Sequence, residues 1–405
     1  MNQASYLRVF AGSFLSTVLL VASLNLIVDP YNFYGSPEYV GFNEVKPKAP
    51  SRTRTSKILQ VARVKPVTII GGNSRPEMGL DPASDCWGSE MRPIYNHALP
   101  GTSVYTQTRV LQDVILSGDV KNVYLGVDFT DFLVKKSDFV DFDNWPEKPG
   151  TFESRLRYSA AGEVNPHSRL ARFRDMAKGV FSFSAAFDSV FTIIAQRNPA
   201  SPDNRVDGFN PANDYLAIIK HEGQSVLFEQ KNREILKLLS PAHLGIFHGG
   251  VEWSINFEAL ERFLKFNEQR NIKITMFINP LHVDYLFAIH ESGKWTLFER
   301  WKKALVELVG EHENTELWDF TGFDPYSSEA LPRQKKSGKV LSWFWEPAHY
   351  KKELGEVMLS RMLGNSCDPQ KKEWGVNIRS SNISQHNGML GRQLTEAMTK
   401  KRSGS

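Results

Sequence analysis

Ser74 lies in the run GGNSRPE, residues 71–77, directly after the apolar stretch VTII. Glycines at such a point let the backbone turn sharply and leave a hydroxyl exposed beside free N–H groups. A bare serine is a weak nucleophile and needs a base within hydrogen-bond reach. The downstream segment WFWEPAHYKKELGEVML, residues 343–359, offers one in His349, three residues after Glu346. One short turn ahead of a helix over 351–363 would present both side chains to the same point. The carboxylate would then fix the imidazole tautomer and stabilise its protonated form, as in a hydrolytic triad. Simpler roles fit the same residues: Ser74 as a helix N-cap, Glu346 as a cap and His349 packed beside Trp345. His97, His248 and His282 compete as bases. His282 also follows a strand, but no acid neighbours it in a comparable turn.

These residues require elements that deliver them. VKPVTIIGG reads as a buried strand ending in a Gly-rich turn, and YNHALPGTS has the same character. An amphipathic helix follows over TQTRVLQDVILSG, with Val110, Leu111, Val114 and Ile115 on one side. NVYLGVDFTDF, IKITMFINPLH and ENTELWDFTGF supply further apolar strands. Helical patterns fall at 56–63, 186–196, 224–239, 257–271 and 295–310. Alternating strands and helices argue an α/β fold with a mainly parallel, helix-covered sheet and functional loops at the strands' C-terminal ends.

Four ordered blocks, spread over residues 66–363, resemble the SGNH (GDSL-like) hydrolase superfamily: GGNSR with Ser74, LPGTS with Gly101, GVDFTDF with Asp128, and EPAHY with Glu346 and His349. The resemblance implies a three-layer, flavodoxin-like sandwich and a Ser74–His349–Glu346 triad. It also implies an oxyanion site at the N–H groups of Ser74 and Gly101. Two blocks depart from the pattern. Asn73 stands where hydrolases usually carry Asp, and Asp128 where many members carry a donor Asn. A carboxylate donates only when protonated, so Asn73 or Asn279 would have to substitute. Arg75 would bind an acidic sugar or a carbonyl oxygen, or else pair with Glu77 or Asp81. Asn73, Arg75, Asp128, Asn279 and His282 are thus the candidate substrate contacts. The chain is more closely similar to membrane-anchored bacterial proteins that transfer O-acyl groups to cell-envelope glycans. That similarity implies an exported or envelope polysaccharide and an acyl donor as substrates. It further implies a membrane acyltransferase or export complex as partner, and no metal or organic cofactor. The altered blocks also fit a catalytically silent glycan-binding or scaffold protein.

Residues 9–28, VFAGSFLSTVLLVASLNLIV, carry no charge, and twenty residues of helix span about 30 Å, the thickness of a bilayer's hydrocarbon. A signal peptide cleaved near Ser23 and a buried core helix fit the same stretch; an uncleaved signal anchor fits its length best. Lys46, Lys48, Arg52, Arg54 and Lys57 pull orientation towards the cytoplasm. Most of them lie beyond the reach of the positive-inside rule, and long domains translocate regardless. The expected location is the bacterial inner membrane, with the catalytic domain in the periplasm or outside. That basic cluster reads as a solvated surface, or as a contact for anionic headgroups or an anionic glycan.

The domain plan is therefore a flank (1–8), an anchor (9–28), a linker with the first helix (29–63), a catalytic domain (64–366) and a C-terminal extension (367–405). Weakly periodic insertions or lid loops fall near 135–166 and 198–213. The polar extension is expected to be disordered at its tip. A formal charge of +4 does not suggest a nucleic-acid binder, and 41% hydrophobic residues with 26 Phe support a well-filled core. Cys86 and Cys367, the only cysteines, exclude a disulfide scaffold. Whether they pair is left open by the sequence.

Overall fold

The computed structural model describes residues 3–137, 152–249, 251–332, 340–364, 367 and 374–403. The chain opens with helix α1 (Gln3–Val28) and, after an irregular stretch, α2 (Thr53–Val64). Strand β1 (Thr68–Gly71) leads into the short helix α3 (Ser74–Gly79). Next come β2 (Ile94–Asn96), α4 (Val104–Ser117), β3 (Asn122–Val127) and the two-residue β4 (Val134–Lys135). Helices α5 (Ser168–Phe181), α6 (Phe183–Ala195), α7 (Asp214–Glu222) and α8 (Gln224–Leu239) precede β5 (Leu244–Gly245). The chain continues through α9 (Ile255–Glu268), β6 (Lys273–Ile278), α10 (Val283–Glu291), α11 (Trp295–Gly310) and β7 (Thr315–Asp319). It ends with β8 (Phe344–Glu346), β9 (His349–Tyr350), α12 (Lys352–Leu363), β10 (Val376–Asn377) and α13 (Ile383–Ser403). Two compact units result: Met1–Arg63 with Glu147–Asp214, and Val64–Pro146 with Tyr215–Ser405.

The larger unit is α/β. Its six-stranded sheet has the order β10-β7-β6-β3-β1-β2 and helices on both faces. All pairs are parallel except β10 on β7. Because both faces are covered, the central strands are continuous apolar runs, and β1 is buried at all four positions. From β1 the chain steps to β2 on one side and then crosses to β3 on the other. Doubly wound sheets place ligands at such a reversal, outside the C-terminal ends of their strands. Ile70, Tyr124, Phe277, Phe320, Phe344, Tyr350, Leu354 and Met358 build the main core. Cys86 and Cys367 are joined in a disulfide.

The C-terminal extension belongs to this unit and is not a loose tail. β10 adds an edge strand, and the Ile378 N–H donates to the Leu317 carbonyl at 2.8 Å. From α13, His386 Nε2 lies 2.8 Å from Asp319 Oδ2, which also takes a hydrogen bond from buried Lys302 at 2.6 Å. The final two residues lie outside those described.

The smaller unit gathers α1, the stretch after it, α2, α5 and α6. α1 is the one helix among the described residues that is by itself long and apolar enough to cross a membrane. Residues 29–52, linker-like in composition, are held firmly. The Asp29 carboxylate accepts the N–H groups of Phe33, Tyr34, Gly35 and Ser36. Nor is the basic cluster simply solvated: Lys46 and Lys57 are buried, and Lys46 Nζ donates to the Val28 carbonyl at 2.8 Å. Residues 198–213 bind this frame through Asp203, which accepts the Lys46 N–H, and Asn204, which donates to Thr53. They pack with this smaller unit, as does α6, which the alternation of elements had placed beside the sheet. Of the other insertion, residues 138–151 lie outside the described part.

Candidate active site

β1 ends in a turn that only glycine accommodates at position 72. Its φ is +125°, and a Cβ there would sit 2.6 Å from the Gly126 carbonyl oxygen. Asn73 then caps α3 by accepting the Arg75 N–H at 3.0 Å, which places Ser74 first in the helix. The capping role that the sequence allowed for Ser74 therefore falls to Asn73. The Ser74 side chain is half-buried.

Glu346 and His349 face each other across a tight hairpin, as register partners of β8 and β9. The Pro347–Ala348 turn returns the chain, and the Ala348 N–H donates to Glu346 Oε2 at 3.0 Å. The Tyr350 end of this hairpin packs on α3, and α12 crosses α3 so closely that position 355 tolerates only glycine. A Cβ on Gly355 would lie 1.8 Å from the Gly79 carbonyl oxygen. This contact brings residues 275 positions apart together: Ser74 Oγ lies 2.7 Å from His349 Nε2. His349 Nδ1 in turn meets Glu346 Oε1. With the ring proton on Nδ1 and donated to Glu346, Nε2 is free to accept the serine proton. Burial works against ionisation of the fully buried Glu346. The His349 ring, the Ala348 N–H and the Arg75 charge outweigh it, holding the carboxyl below its usual range. The His349 side chain keeps 19% of its surface exposed, so the imidazole is reachable from solvent. Tyr215 stacks on Trp345, with ring centroids 5.7 Å apart, and lies tilted beside His349.

The other candidate residues occupy different places. Arg75 pairs with Asp128, not with Glu77 or Asp81, and its Nε donates to the Ala348 carbonyl at 2.9 Å. It also lies over the Tyr285 ring. Asn73 donates to Asp128 at 2.6 Å and to Asp131 at 2.9 Å. Asn279 donates to Asp128 at 3.1 Å and accepts from the Tyr350 hydroxyl. Asn73, Arg75, Asp128 and Asn279 are thus buried and bonded to one another, an arrangement that supports the Ser74 turn and leaves little to offer a substrate. The side-chain partners of Asp128 are the Arg75 guanidinium and the Asn73 and Asn279 amides. His282 is buried between Phe228 and Phe344, caps α10 and reaches the Glu329 carbonyl. Gly101 lies exposed on the loop after β2 with φ +62°. His97 is buried beside Tyr95, and His248 beside Trp253.

Asp131 and Gln107 belong to the same network without having stood out in the sequence. Gln107 Nε2 donates to Asp131 Oδ2 at 3.0 Å. Loss of water and the nearby Asp128 charge push the Asp131 carboxyl up to about 7. The acid pair three residues apart in DFTDF was the available signal. Among the described residues, no group of three or more His, Cys, Asp or Glu side chains is placed to hold a metal ion. A cleft lined by Lys273, His312, Thr315 and Arg379 opens at the N-terminal ends of β6 and β7 and contains none of the triad residues.

Compared with known proteins, the chain matches no family model and no curated protein.

Proposed function

We propose that the protein is a membrane-anchored serine esterase or O-acyltransferase of the SGNH type. The observation that carries this reading is the continuous chain from Ser74 Oγ through His349 to buried Glu346. His349 takes the Ser74 proton as the hydroxyl oxygen attacks an ester carbonyl, and Glu346 stabilises the resulting imidazolium. Backbone N–H groups of Ser74 and Gly101 receive the oxyanion. The alkoxide leaving group then takes the proton from His349, leaving an acyl-serine. Water or a glycan hydroxyl attacks this ester and gives its proton to His349, which passes it to the departing Ser74 oxygen and so restores the free serine.

An exported or envelope polysaccharide is the substrate class. The stacked Tyr215–Trp345 pair beside His349 supports it by offering an aromatic surface to a sugar ring. α1 anchors the chain in a bacterial inner membrane, and the Cys86–Cys367 bond favours a catalytic unit outside the reducing cytoplasm. A membrane acyltransferase or export complex would supply the acyl group. Replacing Ser74 by Ala should abolish both esterase turnover and labelling by a fluorophosphonate probe. Undiminished labelling would exclude Ser74 as the nucleophile.

Asp128 favours a second reading, since its lock on Arg75 leaves the third block without a donor. In that reading the unit binds glycan and does no chemistry. Wild-type protein that retains a polysaccharide but never reacts with activated esters would support it.

A further inference from the structure

α6 is built inside out. Phe183, Phe187, Val190 and Ile194 recur at i, i+4, i+7 and i+11, one face of a helix, and that face is exposed. The opposite face is buried and consists of Ala185, Ser189, Thr192 and Ala195. α5 carries Leu170, Phe173 and Phe181 outward in the same way, among exposed Arg169, Arg174 and Lys178. Phe173, Phe181, Phe183, Phe187 and Phe191 alone present on the order of 600 Å² of apolar surface, as large as the largest patches on ordinary soluble monomers.

What lies next to this surface identifies its occupant. The small, polar side of the hairpin packs on the C-terminal end of α1, whose buried residues are Ala22, Asn25 and Val28. Asn25 Nδ2 donates to the carbonyls of Val180 and Ser182 at the bend between α5 and α6, and Asn25 Oδ1 accepts from Ser189 Oγ at 2.9 Å. Small residues and interhelical hydrogen bonds are how helices associate in lipid, where apolar side chains have no reason to turn inward. The exposed phenylalanines therefore continue the apolar surface of a membrane-length helix. Helices of 14 and 13 residues, bent at 65°, are each too short to span. Asn25 fixes them at the level of α1's last turn.

We infer that α5 and α6 form an interfacial hairpin that lies in the bilayer surface beside the exit of α1, with the phenylalanine face in the acyl region and the α5 cations at headgroup level. This rests on the reading of α1 as the membrane anchor. The test uses the full chain in phosphatidylcholine vesicles. Its native cysteines are paired, so single cysteines introduced as Phe187→Cys, Ile194→Cys, Leu15→Cys or Lys303→Cys can carry an NBD fluorophore. The labels at 187 and 194 should lose at least half their emission to lipids spin-labelled near the headgroup, and less to lipids labelled deeper. The label at 15 should show the reverse, and the label at 303 neither. Quenching at 15 with none at 187 and 194 overturns the hairpin and leaves the anchor standing. No quenching at 15 removes the anchor, and the hairpin with it. Unmodified protein guards against altered folding in the variants: a diazirine-bearing lipid should label peptides from 168–195 as well as from α1. Labelling confined to α1 again overturns the inference.

Discussion

The two units of this chain sort their side chains by opposite rules. The sheet unit hides Ile, Leu and aromatic residues, and buries charge where it is paired, as in Lys302–Asp319 and Arg75–Asp128. The smaller unit hides Asn25, Ser189, Thr192, Asp29 and Lys46 and, while Phe33 and Phe209 stay inside, turns the phenylalanines of α1, α5 and α6 outward. Water expels apolar surface, whereas lipid does not, so the outward phenylalanines are what the proposed contact of α5 and α6 with a bilayer requires. Buried polar groups also serve different ends. In the sheet unit they hold the Ser74 turn and the Glu346–His349 hairpin in place; in the smaller unit they join helices.

The largest effect expected from breaking this arrangement lies at the triad. Glu346→Gln should lower ester turnover by about four orders of magnitude, because the neutral amide no longer fixes the His349 tautomer or offsets its charge. Helix packing around Asn25 should not change. Single-turnover hydrolysis of an activated ester checks the first point, and amide exchange of α5 and α6 the second. A drop under tenfold would place the base elsewhere. Gly355→Val attacks the scaffold instead. A side chain driven into the Gly79 carbonyl should cost the sheet unit about 3 kcal/mol. All eight tryptophans among the described residues fall in that unit, so denaturant unfolding followed by tryptophan fluorescence reads it.

In the smaller unit, Asn25→Leu makes the helix more apolar but strands the Val180 carbonyl and the Ser189 hydroxyl, while the Ser182 carbonyl keeps the Ala186 N–H. The loss should be about 2 kcal/mol, seen as faster amide exchange across residues 180–189 in micelles, with tryptophan-detected unfolding unchanged. That contrast separates what the sequence reveals from what it conceals. The run VTII before two glycines, and the acid–His spacing in EPAHY, are local patterns, so β1, the Ser74 turn and the Glu346–His349 pair were readable. α8 and α11 were equally plain, each with a strong 3.6-residue period. Asn25 and Ser189 are 164 positions apart, and nothing local marks either as a partner of the other. The inverted face of α6 has the same period as a core helix; only exposure distinguishes them. For the same reason Asn73, Arg75 and Asn279 looked like substrate contacts. Their link to Asp128 depends on how the ends of β1, β3 and β6 line up. β10 has two residues, too few for any period to emerge.

The smallest effect concerns Asp131 and sharpens the account of polar burial in the sheet unit. Lost hydration and the Asp128 charge push this carboxyl up to about 7, against the pull of its hydrogen bonds from Gln107 and Asn73. Between about pH 4 and pH 7 the folded state therefore holds a proton that the unfolded chain has released, so this group's contribution to stability is lost as the pH rises through that window. Asp131→Asn keeps an acceptor for Gln107 and Asn73 but removes the charge. At pH 5 the variant should match the wild type. At pH 8 it should be more stable by about 1 kcal/mol, less than full linkage would give because the side chain is partly solvated. Tryptophan-detected unfolding in urea at the two pH values measures the difference directly, and titrating groups outside the Asp128–Asp131 pair cancel between the proteins. Identical pH slopes would mean that Asp131 is ionised throughout. The pull of Gln107, Arg75 and Asn73 on Asp131 would then outweigh its lost hydration.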